Sequence, residues 1–257
     1  MKKLNEDKAQ GHWLLAKMGK RVLRPGGKEL TLKLIDSLNI DSLDDVVEFA
    51  PGLGFTASIT LKKKPKTYIA VELNKEAFSY LQKVIYSPDY RIINANAKET
   101  GLADAVASKV YGEAMLTMQS EKQKSEIVKE AYRILKPGGL YGIHEIALVG
   151  DLSRDNINAI YQDMADAIKT NARPLSVDAW KDILSAEGFN VKDIYFSPMH
   201  LVEPKRIFDD EGFFRAIRIF FNIFTHPAAA RRIRKMRSIF RKYEANLSAV
   251  AIIAEKI

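Results

Sequence analysis

Val46-Val47-Glu48-Phe49-Ala50-Pro51-Gly52-Leu53-Gly54 is the stretch on which the fold turns. Its apolar residues around one acid make a buried strand, the small residues after Phe49 make a turn, and Thr56 to Lys63 continues at helical spacing. Small residues let a backbone come close to a ligand, and free amides at a helix start favour a negative group such as a carboxylate. An ordinary strand-to-helix turn has the same composition, so the meaning of this loop depends on the residues around it.

Outward from the loop, strand-like runs alternate with helical ones between Leu43 and Ala147. The strands are expected at Asp45 to Phe49, Thr67 to Glu72, Tyr90 to Ala95, Val106 to Tyr111 and Leu140 to Ala147, with helices at Lys75 to Ile85 and Ser120 to Leu135. Such alternation predicts βαβ units and a parallel sheet covered on both faces. The second strand ends in Glu72, 24 residues after Glu48, near the spacing of about 20 at which dinucleotide-type folds place a ribose-binding carboxylate. The third closes on Asn94-Ala95-Asn96-Ala97, and Arg133-Ile134-Leu135-Lys136-Pro137-Gly138-Gly139 leads into the fifth. Helices at Asn156 to Lys169 and Val177 to Glu187 and strands at Asn190 to Pro198 and Leu247 to Ala254 complete the pattern. Ahead of the sheet, Gln10 to Leu23 and Gly27 to Leu38 predict two helices over one sheet edge, and Phe208 to Tyr243 predicts an insertion of two helices split at His226-Pro227.

This ensemble resembles the class I S-adenosylmethionine (SAM)-dependent methyltransferases. Glu-Phe-Ala-Pro-Gly-Leu-Gly matches the family's acid-x-Gly-x-Gly-x-Gly loop, Glu72 its ribose acid, and Arg-Ile-Leu-Lys-Pro-Gly-Gly its late signature, with Trp180 to Phe189 also typical. The resemblance implies an α/β, Rossmann-like, doubly wound and mostly parallel seven-stranded sheet with helices on both faces, and SAM as cofactor. It implies that Glu48 and the backbone at Ala50, Gly52 and Gly54 hold the methionine part, Glu72 the ribose, and Asn96 with Ala97 the adenine, with Leu73 also at the cofactor. Two positions depart from the family: Ala50 stands for its first glycine, and Asn96 for a frequent aspartate. An asparagine still meets the adenine amine through its carbonyl.

Two rival readings share parts of the pattern. An NAD-dependent oxidoreductase also needs a ribose acid after a small-residue turn, but the loop lacks G-x-G-x-x-G. A SAM-binding sensor or interaction protein without catalysis would keep every cofactor feature, because fold alone does not certify activity.

At 257 residues the chain is expected to form one domain, with an N-terminal helical cap (1–40), a Rossmann-like core (41–200), a helical insertion or lid (201–246) and a last strand (247–257). It has no cysteine, which excludes disulfides, thiolate catalysis and cysteine-ligated metals; no metal is expected. Without an apolar segment near the start or a run of about 18 apolar residues, the reading is cytoplasmic. The net charge of +8 is concentrated: residues 1–24 hold seven Lys/Arg against two acids, and residues 201–246 hold eleven against five.

Methyl transfer rewards alignment and water exclusion, and needs a base only if the acceptor must lose a proton. Gly112 to Gln119 after the fourth strand and His144-Glu145 in the fifth are expected to border the transferred methyl, with His144 and Glu113 as candidate catalytic groups. His12 and Trp13 are placed to cap the cofactor. The absence of N-P-P-Y or D-P-P-Y after the fourth strand argues against DNA adenine and protein glutamine as substrates. In the insertion, Phe213, Phe214, Ile217, Phe220, Phe221 and Phe224 make a broad apolar surface and the second helix is strongly basic. The expected acceptor is a small molecule or a lipid- or quinone-like compound. The insertion itself is read as a lid lining the acceptor pocket, with an anionic membrane contact or a homodimer interface as alternatives. Nucleic acid fits less well, since aromatics and cations fall on different helices.

Overall fold

The computed structural model describes residues 5–85 and 87–257. Met1 to Leu4, which carry part of the N-terminal basic charge, lie outside them.

Five strands begin the sheet: β1 (Asp45–Phe49), β2 (Thr67–Val71), β3 (Tyr90–Ile93), β4 (Ala107–Glu113) and β5 (Leu135–Leu148). A two-residue β6 (Leu175–Ser176) pairs with the end of β5, and β7 (Phe189–Pro198) and β8 (Leu247–Lys256) finish it. The order is β3-β2-β1-β4-β5-β8-β7, with β6 off this path. The expected seven long strands are present. Pairing is parallel up to β5, whereas β8 runs antiparallel to both β5 and β7, so this end of the sheet is mixed. The register aligns Phe49 with Val71 and Gly112, and Glu113 with His144. Ala50, Glu72, Ala114 and Glu145 therefore emerge together at the carboxyl end, where ligands bind in such sheets.

The helices are α1 (Gly11–Lys17), α2 (Gly27–Ser37), α3 (Phe55–Thr60), α4 (Lys75–Val84), α5 (Glu121–Ile134), α6 (Arg154–Ile168) and α7 (Val177–Ala186). Starts are set by side-chain caps at Asn74, Ser120, Ser153 and Ser176, each accepting from backbone amides of the first turn. One sheet face buries Val47, Phe49 and Tyr141 under α5 and α7; the other buries Val46, Tyr68 and Tyr111 under α2, α3 and α4. Alternation along β1 thus sends Glu48 to the second face.

The cap and the insertion differ from the sequence expectation. Helix α1 stops at Lys17, well short of Leu23, because Gly19 takes a positive φ of 105° and the next residues serve another role. Lys20 Nζ meets Asp210 Oδ2 at 3.0 Å in a fully buried pair, and the amides of Arg21 and Val22 donate to Glu211 Oε1. Those acids belong to α8 (Pro204–Glu211), a helix the spacing did not predict; the insertion has three helices, continuing with α9 (Phe213–Thr225) and α10 (Pro227–Lys242). Helix α2 lies on the face of the antiparallel end rather than over an edge. Helix α1 packs with α6 and α10 in a separate core beyond the carboxyl ends of the strands.

Candidate active site

A cavity of about 410 Å³ opens at the carboxyl end of the sheet, walled by α1, the loops after β1, β2 and β4, and residues from α6 and α10. Its two halves differ chemically.

The first half is the β1 loop. Ala50, Pro51, Gly52 and Leu53 line it with Glu72, Leu73 and Asn74. Glu72 is nearly buried, and its carboxylate accepts from Gly52 N at 3.0 Å and Asn74 N at 2.7 Å. Burial raises its pKa and those amides pull it back. Gly52 has a φ of 58°, and a side chain built there would meet nothing within 4 Å, so the open space beside this backbone is the cavity itself. Ala50 adopts φ 52°, the left-handed region that glycine enters freely and alanine does not. That conformation explains why a glycine suits the position.

Other residues expected at the cofactor lie elsewhere. Glu48 does not reach the cavity: its Oε2 accepts from the hydroxyls of Tyr68 at 2.5 Å and Tyr111 at 2.6 Å beneath the sheet face, and burial raises its pKa to about 7 although those hydroxyls oppose the shift. The strand pleat is the reason, since residue 48 faces opposite to 47 and 49. Gly54 is at the start of α3 and faces Leu81, whose Cδ2 would lie 2.9 Å from a side chain there; it is not a wall residue. Asn96 turns its carbonyl back to Lys98 N at 3.1 Å, and Ala97 is buried in the core, so neither lines the cavity.

His144 and Glu113 do come together, but as a buried knot. His144 Nδ1 lies 2.8 Å from Glu113 Oε1 and its Nε2 lies 2.6 Å from the Pro25 carbonyl oxygen. The ring is fully buried with an acceptor opposite each nitrogen, which leaves neither free to take a proton from a substrate. Glu113 also binds Arg24, Thr31 and Thr56. Burial pushes its carboxyl up, but the Arg24 charge and the His144 contact outweigh it and hold the carboxyl at about 2. Glu113 and Arg24 border the cavity; the knot ties the N-terminal loop to the ends of β4 and β5.

Glu145 has a role that sequence reasoning missed. Fully buried, it accepts from the amides of Met115, Leu116 and Thr117 and from the Thr117 hydroxyl, at 2.7 to 2.9 Å. Burial raises its pKa against those bonds. It fixes the loop after β4, from which Met115, Thr117 and Met118 line the second half of the cavity.

That half is apolar. Met164, Ile168, Ala172, Met199, Leu201, Met236 and Phe240 join Leu15, Leu23 and Ile146 there. Of the seven methionines, Met115, Met118, Met164, Met199 and Met236 are on this wall. Its polar side chains are few. His12 and Trp13 line the cavity as expected of a cap, and burial lowers the His12 pKa to about 4. Thr170 also lines it, and its Oγ1 is buried with no hydrogen-bond partner among the described residues. No local spacing announces Met164, Thr170, Met199 or Met236, because α6 and the turn after it, the segment after β7 and α10 bring them in from distant parts of the chain.

The comparisons agree with this geometry. A family model described as a methyltransferase domain matches residues 46–139. An uncharacterized protein of Haemophilus influenzae is 33% identical over 251 residues, 96% of this chain and 98% of that one. Phosphoethanolamine N-methyltransferase 2 of Haemonchus contortus, solved with phosphomonomethylethanolamine and S-adenosylhomocysteine, shares the fold with a TM-score of 0.72 at 16% identity, over 96% of this chain and 57% of that one. Geranyl diphosphate methyltransferase, solved with GPP and sinefungin, does so with a TM-score of 0.63 at 12% identity, over 89% and 77%. At these identities the likeness to both solved structures is one of fold. The chain belongs to one family with the Haemophilus influenzae protein, and its residues 46–139 are a methyltransferase domain of the class I SAM-dependent kind. SAM is the cofactor that this domain brings, and the Gly52 opening beside the Glu72 carboxylate fits it.

Proposed function

We propose that this methyltransferase acts on an apolar, lipid- or quinone-like acceptor that carries one small polar head. The observation behind this is the wall of the cavity's second half: five methionines with Leu, Ile and Phe side chains, and among them the unpartnered Thr170 hydroxyl. Methionine is unbranched and polarisable, so such a wall adapts to a flexible apolar body. A buried hydroxyl without a partner costs free energy that a ligand's polar atom would recover.

SAM held by the β1 loop and Glu72 would supply an electrophilic methyl group for the acceptor. The protein's share is placement. The β1 loop and Glu72 hold the cofactor, the loop fixed by Glu145 forms the floor, and Met236 and Phe240 keep water out. If the acceptor nucleophile is a hydroxyl, His12 is the wall imidazole available to accept its hydrogen bond: burial keeps it neutral at physiological pH, and a pKa of about 4 makes it a weak base.

The test is transfer from methyl-labelled SAM with lipid, aqueous-metabolite and RNA extracts offered separately. Label in the lipid fraction is expected. Label confined to the aqueous or RNA fraction would overturn the acceptor assignment, and SAM binding without transfer to any fraction would favour a sensor.

A further inference from the structure

Helix α9 turns five large apolar side chains outward. Phe213, Phe214, Ile217, Phe221 and Phe224 are 64%, 87%, 48%, 65% and 84% exposed. They share one helix face. The opposite side packs through Ala216 and Ile219 against Ile207, and Asn222 Nδ2 donates to the Met18 carbonyl at 2.9 Å. The aromatic face therefore does not line the cavity, as a lid would require. A contiguous apolar patch of this kind marks an interaction surface.

Charge identifies the partner. From Phe213 to Tyr243, α9 and α10 carry nine Lys/Arg and no acid. Five are engaged: Arg215 near Glu211, Arg232 with the carbonyls of Glu6 and Ala9, Arg237 and Arg241 with Glu203, and Lys242 with Asp163. Arg218, Arg231, Arg234 and Lys235 pair with no carboxylate among the described residues, and all four are exposed. Arg218 is one turn from both Phe214 and Phe221, so cation and aromatics share a helix side. A second copy would bring two acid-free helix pairs together, which like charge opposes.

We propose that α9 is a membrane-surface helix that seats its phenylalanines in the acyl boundary of an anionic bilayer, with the free cations of α9 and α10 against lipid phosphates. Among the described residues no helix is long and apolar enough to cross a membrane, so the contact is interfacial. The proposal does not depend on the acceptor's identity.

Flotation of the full chain with phosphatidylcholine vesicles, with and without phosphatidylglycerol, tests it. Binding is expected only with the anionic lipid, and should weaken as salt rises. Phe214→Ser with Phe224→Ser, and separately Arg218→Gln with Arg231→Gln and Arg234→Gln, should each reduce the bound fraction at least roughly ten-fold. These side chains are exposed, so unchanged thermal unfolding would verify that each variant folds. Wild-type protein that stays with the unbound fraction, or phenylalanine variants that float as well as wild type, would overturn the proposal. So would a dimer in sedimentation that the phenylalanine variants abolish while no lipid is bound.

Discussion

His144 Nδ1 lies 2.8 Å from Glu113 Oε1, and the pair holds the N-terminal loop to the sheet through Arg24 and Pro25. Glu113 has a folded pKa of about 2 against an ordinary value of 4.5. A depressed carboxyl contributes stability that is present above 4.5 and lost as pH falls towards 2, here on the order of 3 kcal/mol. Urea unfolding between pH 7 and pH 3 should show this loss, and Glu113→Gln should flatten it while lowering stability at pH 7. An unaltered slope in the variant would place the titration elsewhere.

Glu48 has the opposite sign. Its pKa of about 7 is raised, so its contribution is present below 4.5 and lost as pH rises through 7. Glu48→Gln keeps an acceptor for Tyr68 and Tyr111, and should be more stable than wild type at pH 8, by up to about 3 kcal/mol. Because Glu48 stands away from the cavity, SAM affinity should change less than about three-fold, an effect under 1 kcal/mol. A large loss of affinity would restore Glu48 to the cofactor.

Ala50 holds a left-handed backbone that costs an L-residue about 1–2 kcal/mol. Ala50→Gly removes that strain but loosens the unfolded chain by about 0.4–1 kcal/mol. A net gain of up to about 1 kcal/mol should raise Tm by roughly 2–4 °C. A fall in Tm would mean that the alanine conformation is unstrained.

Thr170→Val removes the unpartnered hydroxyl and keeps the shape. Stability should hold or rise, whereas KM for the acceptor should increase about ten-fold, equivalent to about 1.4 kcal/mol. Equal KM would show that the hydroxyl does not touch the acceptor. The pH profile gives a companion result for His12: with a pKa of about 4, kcat/KM should stay level from pH 8 to pH 5.5. A fall centred on pH 6.5 that His12→Gln abolishes would contradict the lowered value.

How much of this was legible in the sequence depends on range. Strand β1 occupies the predicted Asp45 to Phe49, and the β1 loop and Glu72 meet as their strand-end positions required, because period and turn chemistry are local signals. Side-chain direction at strand ends was less legible. A motif fixes that Glu48, Asn96 and His144 lie near the site, but the pleat and the neighbours Tyr68, Lys98 and Pro25 decide where each points. Helix α8 was hidden because its register is set by Lys20, about 190 residues earlier, which neutralises the buried Asp210. The Met-lined half of the cavity was illegible for the same reason: its residues meet only in three dimensions.

The central claim is that Ala50 to Leu53 and Glu72 form a SAM cradle. Titration calorimetry of the full chain with SAM, S-adenosylhomocysteine and NADH tests it most directly. Binding of the first two is expected, with Glu72→Ala weakening it about a hundred-fold, near 3 kcal/mol for lost charge-assisted bonds, while unfolding stays cooperative. Tight NADH binding, or SAM affinity unchanged in a folded Glu72→Ala variant, would contradict the account.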